Sequence, residues 1–398
     1  MRLLLINQYA GSPDMGMEYR PHWMAREWIR MGHEVLVVSA DWTHLRRTQP
    51  TTRRGVTTIE GVRFLLLPVT RHEGNGAARM VNIGSFIAGL WRETARLAKG
   101  RPDIVIASST HPFDVRPAAR IADIAGSRLV YEVHDLWPLT PQLLGGHSSR
   151  HPVIRMMQHE EDYACRRADA VVSILPATKP YLVGRGLDPR KWSHVSNGVP
   201  VDLLADPPAP PATSSQFRVG YFGAHGIPND LDTLVAAARL LTAEAIEFHL
   251  FGSGTEKERL IRQAGDLPAI HFHDAVPPAE ARLLMRTMDA LCYGGRDTPL
   301  YQHGISPNKA FEYMAAGRPL VSHISTPTTP GLDAGCEISV PGEDPEALAA
   351  AFVRLRDMPS DERLRWGVKG RDHVQRVATY PALAEAMLVA SADEASAP

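Results

Sequence analysis

Four short stretches carry the side chains best suited to gripping a charged, flat ligand. In the run Gly304-Ile305-Ser306-Pro307-Asn308-Lys309-Ala310-Phe311-Glu312-Tyr313-Met314-Ala315-Ala316-Gly317, Ser306 is a favoured helix N-cap and Pro307 a favoured first helical residue, so Lys309 falls in the first turn. A cation there opposes the positive end of the helix dipole, which makes sense if an anion is bound between them. Lys309 and Glu312, at i and i+3, share a helix face. Together they offer a phosphate-seeking ammonium and a carboxylate able to accept two ribose hydroxyls, with Ser306 and Asn308 beside them. A plain surface Lys–Glu pair is the alternative.

The second stretch, Gly252-Ser253-Gly254, follows an apolar run and would let a flat ligand approach the backbone. It completes neither a G-x-G-x-x-G fingerprint nor a P-loop ending, which counts against hydride transfer and P-loop NTP hydrolysis. In the third, Gly11 to Arg20, Gly16 is placed to open a helix whose backbone N–H groups could meet a phosphate, although a simple turn glycine reads the same way. In the fourth, Glu132-Val133-His134-Asp135-Leu136-Trp137-Pro138, a strand end presents His134 and Asp135 as catalytic candidates, with a structural His–Asp pair equally consistent. His111 lies at an equivalent strand end. Asp230-Leu231-Asp232 mimics a metal-holding Asp-x-Asp, but it follows Pro228-Asn229 and precedes a helical run, so capping explains it and no metal site is expected.

The elements that must position these residues alternate between short Val/Ile/Leu-rich runs and segments of helical period, the pattern of parallel sheets covered by helices. Strands are expected at Arg2–Tyr9, Glu34–Ala40, Arg63–Pro68, Asp103–Ser108, Arg128–His134 and Ala170–Leu175. After the Pro-rich stretch 207–215 they resume at Phe217–Phe222, Glu247–Phe251, Ala269–Phe272, Ala290–Tyr293, Pro319–His323 and Glu337–Val340. The fold class is therefore α/β, with two doubly wound domains and a cleft expected around the hinge. The expected boundaries are 1–200, a linker at 201–216, 217–375, and a tail at 376–398. Its helix, running from Asp361 to about Val389 and kinked at Tyr380-Pro381, would cross back to the first domain.

At 398 residues, with 44% hydrophobic and 22% charged, the chain has the make-up of an ordinary globular protein of two or three domains. Three isolated cysteines suggest neither disulfides nor zinc, and a reducing cytoplasm fits; the Arg2–Ala10 run reads as a strand, being too short for a signal peptide. Residues 1–200 hold 26 Lys+Arg against 18 Asp+Glu, and the remainder 17 against 26. A basic half beside an acidic half suggests different partners, an anionic acceptor or lipid surface for the first, although solvated faces alone would give the same counts. Nothing points to nucleic acid. A helix over Met80–Leu97, with Phe86, Leu90 and Trp91 among its apolar residues, offers peripheral membrane contact, or its apolar face is simply core.

In combination and in order, the opening strand and its glycine turn, Arg30-Met31-Gly32-His33-Glu34-Val35, Ser196-Asn197-Gly198-Val199, Gly252-Ser253-Gly254 and Phe311-Glu312-Tyr313-Met314-Ala315-Ala316-Gly317-Arg318-Pro319 resemble the retaining glycosyltransferases of family 4. These have the GT-B architecture of two facing Rossmann-like domains. Gly16 to Arg20, His134 to Pro138 and Ser306 to Lys309 look closest to the branch that builds bacterial surface polysaccharides, including transferases of amino-deoxy sugars. The resemblance implies a nucleotide-diphosphate sugar, expected to be a UDP-sugar, as donor and co-substrate with no other cofactor. The donor ribose falls to Glu312 and the base to the Gly252–Gly254 turn with the Ala275-Val276 backbone. Gly16 would lie near the diphosphate and His134 near the transferred sugar, and Gly223 is grouped with the donor residues.

The acceptor, a glycan or polyprenyl-linked saccharide, is expected on the first domain, at Glu18, Tyr19, Arg20 and His111. Two departures stand out. Gly304 occupies the place of the first of the family's paired glutamates, and its usual basic pair falls near Ala224 and Asn229, leaving Lys309, Arg296 or Arg20 to supply the charge. Lys309 would then neutralise the leaving diphosphate without a metal. A nucleotide-sugar 2-epimerase and a non-catalytic nucleotide-sugar-binding protein remain the alternatives.

Overall fold

The computed structural model describes residues 1–16, 19–50, 55–72, 74, 76–205 and 216–392. Glu18 and the whole Pro-rich stretch 207–215 lie outside them. The chain divides into two compact units, Met1–Ser196 with Tyr380–Pro398, and Asn197–Thr379.

The first unit runs β1 (Arg2–Ile6), α1 (Tyr19–Arg30), β2 (Glu34–Ala40), β3 (Gly55–Ile59), β4 (Val62–Leu67), α2 (Ala77–Lys99), β5 (Ile104–Ala107), α3 (Val115–Ala125), β6 (Arg128–Val133), α4 (Thr140–Leu143), α5 (Pro152–Arg167), β7 (Ala170–Ser173), α6 (Lys179–Gly184) and β8 (Trp192–His194). Its sheet has the order β3-β4-β2-β1-β5-β6-β7-β8, parallel except for the β3–β4 hairpin. The inner strands β1, β5 and β7 are almost wholly buried, as continuous apolar runs in a covered parallel sheet must be. The pattern analysis misses β3 and β8. Both are edge strands, β3 alternating between half-buried and exposed and β8 only three residues long, so neither has an apolar run to reveal it.

The second unit runs β9 (Phe217–Phe222), α7 (Leu231–Leu240), β10 (Ile246–Phe251), α8 (Lys257–Ala264), β11 (Ile270–His273), α9 (Pro278–Met285), β12 (Ala290–Gly294), α10 (Asn308–Ala315), β13 (Leu320–His323), α11 (Pro330–Ala334), β14 (Glu337–Val340), α12 (Pro345–Asp357) and α13 (Ser360–Val377). Its all-parallel sheet has the order β11-β10-β9-β12-β13-β14. It starts at Asn197 rather than after the Pro-rich run, because Val199 forms a β-bridge with Thr379 and its N–H donates to Ala378 O.

The single kinked helix expected near the end is two helices, α13 and α14 (Tyr380–Ser391), with Pro381 harmless in the first turn of the second. Leu383, Ala384 and Met387 of α14 join the first unit's core, and Trp28 Nε1 donates to Ala384 O at 3.0 Å. The apolar face of α2 is also core. Phe86 and Leu90 are fully buried, and Val81 and Trp91 are the large apolar residues of α2 left exposed, so burial has already used most of the surface proposed for a membrane. Among the described residues no helix is long and apolar enough to cross a bilayer.

Truncating Leu383 to Ala should cost the first unit about 2–5 kcal/mol through the cavity left behind. Denaturant unfolding followed by proteolysis is expected to show the first unit opening earlier while the second is unaffected.

Candidate functional site

In open parallel sheets, ligands gather beyond the carboxyl ends of the strands where the winding order reverses. In the second unit that point lies between β9 and β12. Helix α10 is fastened there by Tyr313, whose hydroxyl accepts from Phe222 N at 2.7 Å and donates to Phe222 O at 3.0 Å, satisfying both backbone groups at the end of β9. Lys309 stands one turn earlier on the same side of α10. Its ammonium therefore lands on the loop after β9, donating to Asn229 Oδ1 at 2.8 Å and Tyr221 OH at 3.1 Å, and lying 4.7 Å from the Tyr221 ring centroid. Asn229 and Tyr221 in turn both donate to Ala224 O.

Every direct partner of this cation is neutral. Desolvation pulls its pKa down to about 8, with Glu312 and Cys292 acting in the opposite direction. Glu312 forms no ion pair with it, so the plain Lys–Glu alternative is set aside. Glu312 is exposed, yet desolvation by the surrounding protein raises its pKa, with Arg282 and then Lys309 holding the rise back. Asn308 is exposed at the first position of α10. Ser306 departs from expectation, since the N-cap position is Pro307 and no side chain caps the helix. The Ser306 hydroxyl instead accepts from Asn197 N at 2.9 Å, and Asn197 Nδ2 donates to Ser306 O at 2.7 Å.

The glycines serve a close contact between loops. A Cβ on Gly252 would stand 1.9 Å from Gly223 O, and one on Gly254 2.2 Å from His225 O, so any larger residue would force the turn after β10 off the turn after β9. A Cβ on Gly223 would meet Lys309 Nζ at 3.0 Å. Lys257 ties the same turns to β11 through Gly252 O, His273 O and Asp274 Oδ1. The sequence reading overlooked His225. It is fully buried, with both ring nitrogens unpaired among the described residues, and burial followed by Lys257 and Lys309 lowers its pKa to about 4, so the ring is neutral. Val276 lines a cavity of about 480 Å³ with Phe251, His273 and Leu284. Helix capping, the expected explanation for Asp230 and Asp232, does not hold for their side chains. Asp230 makes no capping bond and lies 3.5 Å from His323 Nδ1, whereas Asp232 is held by both terminal nitrogens of Arg259 at 2.7 Å.

In the first unit the reversal lies between β1 and β5, where some polar groups are paired while His111 Nδ1 and Asp114 Oδ1 are buried without a hydrogen-bond partner among the described residues. Asn7 Nδ2 donates to Ser108 O at 2.6 Å, and His111 Nε2 meets Gln8 Oε1 at 2.6 Å. His111 is wholly buried with its pKa lowered to about 3, chiefly by desolvation, so it is not a surface group for an acceptor. Arg20 departs likewise. Its guanidinium is buried, bonded to Glu132 through Nε and Nη2 at 3.0 Å, and donates to the carbonyls of Val195 and Ser196. Tyr19 is 38% exposed beside it.

Glu132 accepts further from Ser108 Oγ at 2.5 Å and from His134 Nε2 at 3.0 Å. This orients the His134 ring with Nε2 bearing the proton. Although burial works against it, Arg20 first and then His134 hold the Glu132 carboxyl far below the usual range. Asp135 turns its Oδ1 to Leu136 N at 2.8 Å and Thr140 Oγ1 at 2.7 Å, closing the turn into α4 rather than facing a reactant. Gly16 adopts φ 81° and its N–H donates back to Ser12 O and Pro13 O, so left-handed backbone, not an open phosphate seat, accounts for glycine here.

Two Rossmann-like units with parallel sheets define a protein of the GT-B glycosyltransferase architecture. Residues 15–198 match the glycosyl transferase 4-like domain and residues 216–357 the glycosyl transferases group 1 domain, so the chain belongs to the family 4-type glycosyltransferases. Similar folds include sucrose-phosphate synthase (tll1590) from Thermosynechococcus elongatus, 16% identical over 98% of this chain and 97% of that one, with a TM-score of 0.71. Anabaena Alr3699/HepE in complex with UDP-glucose is 14% identical over 98% and 100% (TM-score 0.66), and WaaG, a glycosyltransferase involved in lipopolysaccharide biosynthesis, shows the same values. No curated protein sequence matches the chain.

Replacing Glu132 with Gln should leave the Arg20 cation buried without its counter-charge and cost about 3–5 kcal/mol. Because the folded-state pKa of Glu132 is depressed, its contribution is complete above about pH 5 and fades as the solution is acidified. Unfolding free energies of wild type and Glu132→Gln are thus expected to converge toward low pH.

Proposed function

We propose that the chain is a retaining, metal-independent glycosyltransferase that moves a hexosyl or N-acetylhexosaminyl unit from a UDP-sugar to a glycan or polyprenyl-linked acceptor in bacterial glycoconjugate assembly. The observation that carries this reading is Lys309. An ammonium half-buried among neutral oxygens, at the start of a helix and at the sheet's reversal point, is a prepared seat for an anion. Its partner Asn229 stands where the family's basic pair would fall, so Lys309 brings from α10 the positive charge that loop lacks. The UDP-glucose and UDP-2-fluoro glucose complexes of two proteins of similar fold support the choice of donor.

In this reading Lys309 and the first N–H groups of α10 neutralise the departing diphosphate, Glu312 holds the ribose, and the base rests on the Gly252–Gly254 turn and Val276. As the C1–O bond to the diphosphate breaks, the acceptor oxygen bonds C1 on the same face and its proton passes to the leaving phosphate oxygen. No protein nucleophile is needed. His134, fixed by Glu132, is assigned to the transferred sugar, and the first unit to the acceptor. The basic balance of residues 1–200 suits an anionic acceptor or membrane surface, with Trp91 and Val81 as the apolar contacts.

The test is acceptor-dependent release of nucleotide from a panel of nucleotide sugars. Donor conversion without acceptor would mark an epimerase, and binding without turnover a non-catalytic nucleotide-sugar-binding protein. Lys309→Gln is expected to lower turnover by about 10²–10³-fold while leaving the fold intact, and unchanged turnover at saturating donor would overturn the mechanism. Since Lys309 is charged below its pKa of about 8 and neutral above it, wild-type donor affinity should weaken by up to about tenfold per pH unit above that point. Calorimetric titration with UDP across this range measures the slope, and Lys309→Gln should flatten it.

A further inference from the structure

The second unit's sheet ends at β11, and there two neighbouring strands carry an unusual row of titratable side chains on one face. Glu247 and His249 alternate along β10, and His271 and His273 along β11. Parallel register sets His249 beside His271 and Phe251 beside His273. Residues two apart share a face of a strand, and the intervening Phe248 and Leu250 belong to the core, so the row lies on the other side.

One ligand atom from each of Glu247, His249 and His271 lies within 4.8 Å of the others. His249 Nε2 is 3.6 Å from Glu247 Oε2. That is close to the separation of about 3.4 Å between two ligands of a tetrahedral zinc ion. His249 Nε2 is also buried and forms no hydrogen bond with any described residue. Its other nitrogen, Nδ1, sits 3.1 Å from His273 Nε2, so in the tautomer with the proton on Nδ1 that proton meets His273 and the Nε2 lone pair is available to a metal. Metal-binding histidines are characteristically oriented this way, with the second nitrogen donating to a neighbour. The His249 ring stacks with both neighbours, its centroid 4.9 Å from that of His271 and 5.4 Å from that of His273.

We propose that Glu247, His249 and His271 bind one divalent transition-metal ion of the zinc class, clipping the edge strand β11 to β10, with His273 as a positioning residue. Two imidazoles and a carboxylate favour zinc, cobalt or nickel over magnesium, which prefers all-oxygen shells. The fourth position falls to water. Glu247 lies before the carboxyl end of β10, whereas His249 and His273 line the cavity of about 480 Å³ that also holds Val276, so the ion would pin the strands at the border of that cavity. The clip holds whether or not the sugar-transfer reading does.

Full-length protein stripped with a chelator and titrated with Co²⁺ should develop a visible d–d absorption band that saturates at one ion per chain and is displaced by Zn²⁺. Zn²⁺ should raise the Tm and Mg²⁺ should not. A His249→Asn/His271→Asn double variant is expected to lose both responses while a His147→Asn/His151→Asn control keeps them, and Glu247→Gln should weaken binding by about 10–100-fold. If the double variant does not fold, His271→Gln at the edge strand serves in its place. No band and no Zn²⁺ effect in wild type, or an undiminished band in the ligand variants, would overturn the proposal.

Discussion

A lysine ammonium surrounded by neutral oxygens at the end of β9 sets the arrangement of the second unit's loops, because a desolvated cation needs every available dipole turned toward it. Tyr313 holds α10 to the end of β9, Lys309 is thereby delivered onto the Gly223–Asn229 loop, and Tyr221 and Asn229 are both oriented by Ala224 O to receive it. The turn after β10 then packs so tightly onto this loop that only glycine fits at 252 and 254. The loops form a single body. The depressed lysine pKa follows from the solvation this cation has given up, a deficit that a bound anion would relieve.

The first unit handles buried charge in the opposite way. Arg20 and Glu132 are both 5% exposed and face each other directly, with Ser108, His134 and two backbone carbonyls filling the remaining hydrogen-bonding positions. A fully matched network of this kind is rigid, since losing any one member strands another. It does not attract a ligand, but it presents one imidazole in a fixed orientation. One unit thus keeps a charge in reserve and the other uses its charges to hold a ring still.

The same contrast between matched and unmatched groups marks the open edge of the second sheet. An edge strand exposes unpaired backbone and must be blunted or pinned. The histidine row on β10 and β11 supplies a means of pinning through an imidazole nitrogen without a hydrogen-bond partner among the described residues.

The α/β class, the two parallel sheets and most inner strands were legible from the amino-acid order, because a strand buried on both faces must be a continuous apolar run wherever it sits. Lys309 was legible too, since a cation in the first turn of a helix is conspicuous by its misplacement. The partners of the polar residues were not. Ser306 is matched by Asn197 and Arg20 by Glu132, each more than a hundred positions away, and these pairings turn apparent ligand groups into internal struts. His111 and Asp135 were nominated by their positions at strand ends, and burial and a local turn gave them other work. Glu247, His249 and His271 become a cluster only through the register of two strands. Side-chain periodicity reports which face a residue occupies, and that is local information; which donor meets which acceptor depends on how distant segments dock, and only the tertiary structure decides it.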